Sequence, residues 1–206
     1  MSKNKKTTNW IAKHKRDPFV KKSKKANYRS RAIYKLIEIN EKYKVFSNAE
    51  VVIDLGCAPG SWLQYICEQK NIKKIIGIDI LDIDPLHRVD FIRADIADSK
   101  LIEKIQIQNN CQAGVVLSDI APNITGIADI DQSNFAILAM NIIEFCKESL
   151  KKEGFLVMKY FNGSSLAKTK EELIKHFKIV GVFKPSASKQ ASNEIYLVCN
   201  KFKPLV

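Results

Sequence analysis

The chain has 206 residues, 46% of them hydrophobic and 27% charged, which suits one α/β domain with a sizeable core. Its net charge of +12 is uneven: residues 1–35 hold 13 Lys/Arg against one acid, Asp17, while the rest hold 21 Lys/Arg and 21 Asp/Glu. All the excess charge therefore sits at one end, which points to an acidic macromolecular partner contacted from that end. The five Cys are never in C-x-x-C spacing and the three His are scattered. No metal site is expected from them, and free thiols in a reducing cytoplasm are the simplest account. No apolar segment follows the N-terminal charges and no run of about 18 apolar residues occurs, so neither a secretory signal nor a membrane span is expected.

Residues 1–25 read as a basic arm and 26–206 as the folded domain. Residues 1–16 are polar and lysine-rich. An organelle transit peptide shares that composition, but Arg29, Arg31 and Lys35 continue the charge into the fold and favour a retained nucleic-acid-binding arm. Asp17 caps a short helix with Pro18 at its first position. Phe19 reads as an anchor, while Trp10 and Tyr28 could anchor the arm or stack on bases. Apolar spacing predicts a helix over 28–41, with Arg31 and Lys35 on one face. Strands follow at 50–55, 74–80, 89–94, 115–118, 155–160, 178–183 and 195–198. Helices are predicted at 61–70, 100–109, 133–150 and 167–176, with 124–132 as loop. Strands alternating with helices predict a Rossmann-like, mostly parallel seven-stranded sheet covered on both faces.

The first strand ends in Asp54-Leu55-Gly56-Cys57-Ala58-Pro59-Gly60-Ser61-Trp62. Strand, tight loop and helix open a nucleotide-type site, and glycine lets a ligand approach the backbone. Neither the dinucleotide fingerprint nor the phosphate-cradling loop is present. An acid before the glycine disfavours pyrophosphate and suits a cationic, hydroxyl-rich ligand such as S-adenosylmethionine. Ligands in such sheets lie beyond the carboxyl ends of the strands. Those ends carry Asp54, Asp79, Asp95, Asp119 and Lys159. Each alone is an ordinary turn former or cap; five at matching positions make a rim. Asp79 stands where a ribose-binding carboxylate belongs, and Asp95 where an exocyclic amine would be met.

The motifs Tyr28-Arg29-Ser30-Arg31-Ala32-x-x-Lys35, Asp54-x-Gly56-x-x-Pro59-Gly60-x-Trp62, Ser118-Asp119-x-Ala121-Pro122-Asn123, Met158-Lys159 and Asn193-Glu194 resemble the FtsJ/RrmJ family of RNA ribose 2′-O-methyltransferases. The resemblance spans residue 17 to about 200. It is nearest the bacterial branch that methylates a uridine ribose in 23S rRNA on the 50S subunit. It implies a catalytic set of Lys35, Asp119, Lys159 and Glu194. It also implies donor binding by Gly60, Trp62, Asp79, Asp95 and Asp119, RNA contact by Arg29 and Arg31, S-adenosylmethionine as methyl donor without a metal, and a cytoplasmic monomer. The family's usual Pro-Gly-Gly-Trp is here Pro59-Gly60-Ser61-Trp62. That change is harmless if Ser61 is helical and costly if it needs positive φ.

Transfer of a methyl group to a ribose hydroxyl is helped by a base or cation at the oxygen. Lys159 is expected in that role, oriented by Asp119, with Lys35 and Glu194 positioning the ribose. A base methyltransferase is disfavoured: no Cys follows a proline, and no aromatic follows Pro122. The open alternatives are a tRNA or another RNA as substrate, or a non-catalytic RNA-binding assembly factor on the same scaffold.

Overall fold

The computed structural model describes residues 17–98, 101 and 112–204. The arm over 1–16, Trp10 and most of the helix expected at 100–109 lie outside the described residues. The described elements are α1 (Pro18–Lys25), α2 (Ile33–Tyr43), β1 (Val51–Leu55), α3 (Ser61–Cys67), β2 (Lys74–Asp79), β3 (Val89–Arg93), β4 (Ala113–Ser118), α4 (Ala128–Ser149), β5 (Leu150–Phe161), α5 (Leu166–His176), β6 (Phe177–Phe183) and β7 (Glu194–Phe202).

The seven strands form one sheet in the order β3-β2-β1-β4-β5-β7-β6. The first five in that order pair in parallel, and β7 runs antiparallel to both β5 and β6. The expected mostly parallel Rossmann-like sheet is thus present, with its antiparallel portion confined to one edge. Alternation along β1 splits the core in two. Ile53 and Leu55 pack with Phe135, Ala139, Ile142 and Ile143 of α4 and Leu173 of α5. Val52 packs on the other face with Leu36 and Ile39 of α2 and Trp62, Leu63 and Ile66 of α3. Strands buried on both faces need the near-continuous apolar runs seen in β1, β2 and β4.

Several boundaries differ from the periodicity reading. The helix expected from residue 28 starts at Ile33, because 28–32 is held by tertiary contacts instead. The Arg29 amide donates to Gln64 Oε1 at 2.7 Å, and the Tyr28 hydroxyl donates to Glu68 at 2.8 Å. Arg31 therefore precedes α2 rather than sharing a helical face with Lys35. At the other end of the sheet, α4 starts at Ala128, five residues before the expected 133. Its acidic first turn, Asp129 and Asp131, suits the positive helix end. Asp131 also accepts hydrogen bonds from the Thr125 and Gly126 amides at 2.7 and 3.1 Å. Polar composition alone had marked that stretch as loop. Finally, β5 follows α4 directly and begins at Leu150, and β7 extends well past residue 198 to Phe202.

Residues 17–25 pack onto the domain. Asp17 Oδ1 accepts from the amides of Phe19 and Val20 at 2.9 and 3.4 Å, the expected cap over Pro18 at the first position. Phe19 lies 5.6 Å from the Tyr34 ring, and Asp17 pairs with Arg31.

Candidate active site

A cleft of about 270 Å³ opens at the carboxyl ends of β1 to β4, lined among others by Gly56, Asp79, Leu81, Asp95 and Ile120. Its geometry is fixed through Asp79. Asp79 Oδ2 accepts the Ala58 amide at 2.8 Å and Oδ1 accepts the Leu81 amide at 2.9 Å. One carboxylate therefore ties the β1–α3 loop to the loop after β2. Gly56 has φ +69°, and a Cβ there would lie 2.2 Å from Ile120 Cγ1. Only glycine lets these two loops close over the strand ends.

Gly60 and Trp62 do not line that cleft. Gly60, at φ +99°, lies beneath the Arg29 guanidinium, whose Nη1 would be 2.5 Å from an added Cβ. Trp62 is 3% exposed and donates through Nε1 to the Ala32 carbonyl at 2.9 Å. Both residues support the loop from behind through their side-chain environment. Ser61 opens α3 and is absent from the residues with positive φ. Its hydroxyl lies 2.8 Å from that of Ser30, joining the segment before α2 to the β1–α3 loop. Replacing Ser61 with Gly should leave donor affinity unchanged and lower stability by about 1 kcal/mol, the worth of one net hydrogen bond. Thermal unfolding alongside a donor titration measures both; a weakened donor with unchanged stability would contradict this.

Asp54 is 1% exposed, and neither carboxylate oxygen has a hydrogen-bond partner among the described residues. Burial, then the nearby Asp119 and Asp79 carboxylates, pushes its carboxyl well above the usual range. Three acids thus converge under the loop with no cation of the chain set against Asp54. A donor carrying positive charge suits that arrangement, whereas a phosphate does not.

Beside the cleft, the four expected catalytic side chains come together as two ion pairs. Lys159 Nζ lies 3.0 Å from Asp119 Oδ1 and donates to the Asp119 carbonyl at 2.5 Å. Lys35 Nζ lies 2.8 Å from Glu194. All four side chains are between 11% and 19% exposed. The antiparallel register sets Lys159 opposite Tyr196, and period-two alternation puts Glu194 on the same face as Tyr196.

Tyr196 joins the two pairs. It is fully buried, its hydroxyl donates to Asp119 Oδ1, and the Lys35 ammonium lies 5.7 Å from its ring centre. Burial, followed by the Asp119 and Glu194 charges, pushes its phenol well above the usual value, so it acts as a fixed donor. Sequence reading missed this residue. Its only signal was its place two residues after Glu194 in a strand. Glu194 is further held by the Ser188 hydroxyl at 2.7 Å and, through its amide, by Ser192 at 3.1 Å.

A second cleft, of about 280 Å³, adjoins the Lys35–Glu194 pair and is lined by Ser30, Arg31, Lys189 and Ser192. The two arginines expected to meet RNA are occupied internally. Arg29 donates to the Pro59 carbonyl at 2.9 Å and to that of Pro85 at 3.3 Å. Arg31 pairs with Asp17 and donates to the Ala187 carbonyl. Among the described residues no group of His, Cys, Asp and Glu could hold a metal, and no helix is long and apolar enough to cross a membrane.

A doubly wound sheet, an acid-rimmed ligand cleft at its carboxyl edge and a lysine-carboxylate cluster beside it define a methyltransferase-type site. Residues 28–202 match the family described as FtsJ-like methyltransferase. The chain is 43% identical over 199 residues to the ribosomal RNA large subunit methyltransferase E of Pelagibacter ubique, covering 97% of this chain and 98% of that one. It is 39% identical to the protein of the same name from Vesicomyosocius okutanii, covering 99% and 98% respectively. A crystal structure of a ribosomal RNA methyltransferase from Plasmodium falciparum superposes with a TM-score of 0.77 at 35% identity, covering 86% of this chain and all of that one. The chain belongs to the FtsJ-like methyltransferase family.

Proposed function

We propose that this protein methylates the ribose 2′-OH of a uridine in 23S rRNA, acting on the assembled large ribosomal subunit, with S-adenosylmethionine as donor. The observation that carries the chemistry is the lysine-carboxylate cluster beside the acid-rimmed cleft. The relatives' names carry the substrate class. Asp79 and Asp95, with Asp119 at the boundary of the two sites, are the residues that would hold the donor, and a bound cation would favour the ionised form of Asp54 beneath them. When bound, S-adenosylmethionine supplies an electrophilic methyl group on a sulfonium.

The chain's own groups prepare the acceptor oxygen. Asp119 takes two of the Lys159 hydrogen-bond positions, through its carbonyl and its carboxylate. One position remains on Nζ for the ribose hydroxyl. Lys159 faces that oxygen as it bonds to carbon and loses its proton, either receiving the proton or stabilising the developing charge. Lys35, held by Glu194, binds the same sugar from the neighbouring cleft. Tyr196 fixes the spacing between the two lysines.

Labelled-methyl transfer to unmethylated large ribosomal subunits, followed by mapping of the modified nucleotide, tests the reading. Label on one 2′-oxygen of 23S rRNA is expected. Label on a base, or on tRNA alone, would overturn it. So would RNA binding without donor binding, which marks a non-catalytic assembly factor. The expected place of action is the cytoplasm, where the large subunit matures, and the expected working form is a monomer.

A further inference from the structure

At the opposite end of the sheet lies a polar groove of about 490 Å³ that the proposed reaction does not use. It opens at the amino ends of the parallel strands, between the end of α2, the start of β5 and the end of β7. The length of β4 separates it from the donor cleft, about 17 Å for a six-residue strand. Its lining includes Lys44, Lys151, Lys152 and Lys201, with Glu153 as its only acid. Glu153 is already paired with Lys178 at 3.1 Å, and the neighbouring Glu50 with Lys73 at 2.8 Å. None of the four lining lysines pairs with a carboxylate among the described residues. Lys151 donates only to the Asn48 carbonyl, at 3.3 Å.

The backbone presents these lysines by irregular means. Ala113 pairs with Leu150 and Val115 with Phe155, so four residues of β5 bulge out opposite the single Gly114. That bulge carries Lys151, Lys152 and Glu153. Lys44, Glu153 and Lys201 have φ of 54°, 63° and 60°, three of the five non-glycine residues with positive φ among those described. Lys44 closes α2 in the left-handed conformation, its amide donating to the Asn40 carbonyl at 2.8 Å, and Glu153 and Lys201 adopt the same backbone region in the bulge and in β7. Outside residues 1–35 the chain is charge-balanced. Four ammonium groups in one concavity, none in an ion pair among the described residues, are therefore a local concentration of charge and not a general basic surface.

We infer that this groove binds the phosphodiester backbone of a second RNA segment of the large subunit, remote from the nucleotide being methylated. Lysines are point-charge phosphate binders that position RNA without reading its sequence. This groove and the candidate active site would then meet the substrate at opposite ends of the sheet. The inference rests on the rRNA methyltransferase reading above.

The test is a triple variant, Lys44→Asn, Lys152→Gln and Lys201→Asn, with Asn chosen where φ is positive because it tolerates that backbone. Binding is measured at a series of salt concentrations to unmethylated large subunits and to protein-free 23S rRNA. The expected result is at least tenfold weaker binding to both, and a log–log salt slope shallower by about 2. Methyl transfer at saturating subunit concentration and donor affinity should match wild type. The corresponding triple arginine variant should bind as wild type does. Unchanged binding and slope would overturn the inference. Loss of binding to subunits but not to protein-free rRNA would assign the groove to a ribosomal protein and overturn it equally. Weak binding by the arginine variant would show that shape and not charge is responsible. If the wild type itself transfers no methyl group to rRNA, the underlying functional reading fails instead.

Discussion

Replacing Lys159 with Ala should reduce methyl transfer by 10²- to 10⁴-fold while donor affinity stays within about twofold of wild type. The separation follows from geometry. Lys159 Nζ touches Asp119 and no other part of the rim, and it does not line the donor cleft. Folding should survive, because Asp119 keeps the Tyr196 hydroxyl and remains 19% exposed in its side chain. Lys159→Met keeps the aliphatic stem and should behave the same way, which separates lost chemistry from lost packing. Single-turnover transfer on saturating large subunits, beside a donor titration, reads both quantities. Near-native turnover with intact donor binding would remove Lys159 from the mechanism. Lys35→Ala acts differently. Lys35 sits in the neighbouring cleft with Glu194, so its loss should fall more on KM for RNA than on kcat.

The second large effect is expected at Asp54. Burial raises its carboxyl above the value it has in the unfolded chain. The folded protein therefore binds that proton more tightly. Its contribution to stability is fully present below the unfolded value of about 3.9 and is lost as pH rises towards the raised folded value. An asparagine has the same shape and no charge. Asp54→Asn should flatten that decline and raise the unfolding midpoint of the ligand-free protein at neutral pH by about 2–4 °C, the equivalent of ~1 kcal/mol for a domain of this size. The same change removes a carboxyl that a bound cation would ionise, so donor affinity should fall about tenfold at neutral pH. Stability and ligand binding thus pull in opposite directions at one residue, as is common where a site holds uncompensated charge. Thermal melts across pH 4–9, with and without donor, decide it. Parallel pH profiles for the two proteins, or an unchanged donor affinity, would show that Asp54 is a neutral packing residue.

Much of this site was legible along the chain. The acids at successive strand ends were visible because parallel α/β sheets place every carboxyl terminus on one edge. Their positions at or just past the predicted strand ends carried the assignment of Asp79, Asp95 and Asp119 to that edge. Lys35 and Glu194 were legible only through motif resemblance, since 159 positions separate them and no local rule relates a residue on α2 to the first residue of β7. Tyr196 was missed, and Arg29 and Arg31 were read as RNA contacts without the internal partners they also hold. A tyrosine in an apolar strand looks like core, and an arginine in a basic run looks like a solvent-facing cation. What decided each was the partner waiting in space: Asp119 for Tyr196, the Pro59 and Pro85 carbonyls for Arg29, and Asp17 with Ala187 for Arg31.

The sequence by itself determined the fold class, the carboxyl-edge location of the site and the identity of its acids, because hydrophobic period and strand-end chemistry are local properties of the chain. It also determined that charge is concentrated at the N-terminal end. Only the tertiary structure decided which charges are free to act. Arg29 and Arg31 are bonded to the protein itself, Lys35 and Lys159 are held by carboxylates beside the cleft, and Lys44, Lys151, Lys152 and Lys201 gather at the opposite end without an ion pair among the described residues. The physical reason is that the range and strength of a charge depend on its partners and its burial. Both are set by contacts between residues far apart in the chain.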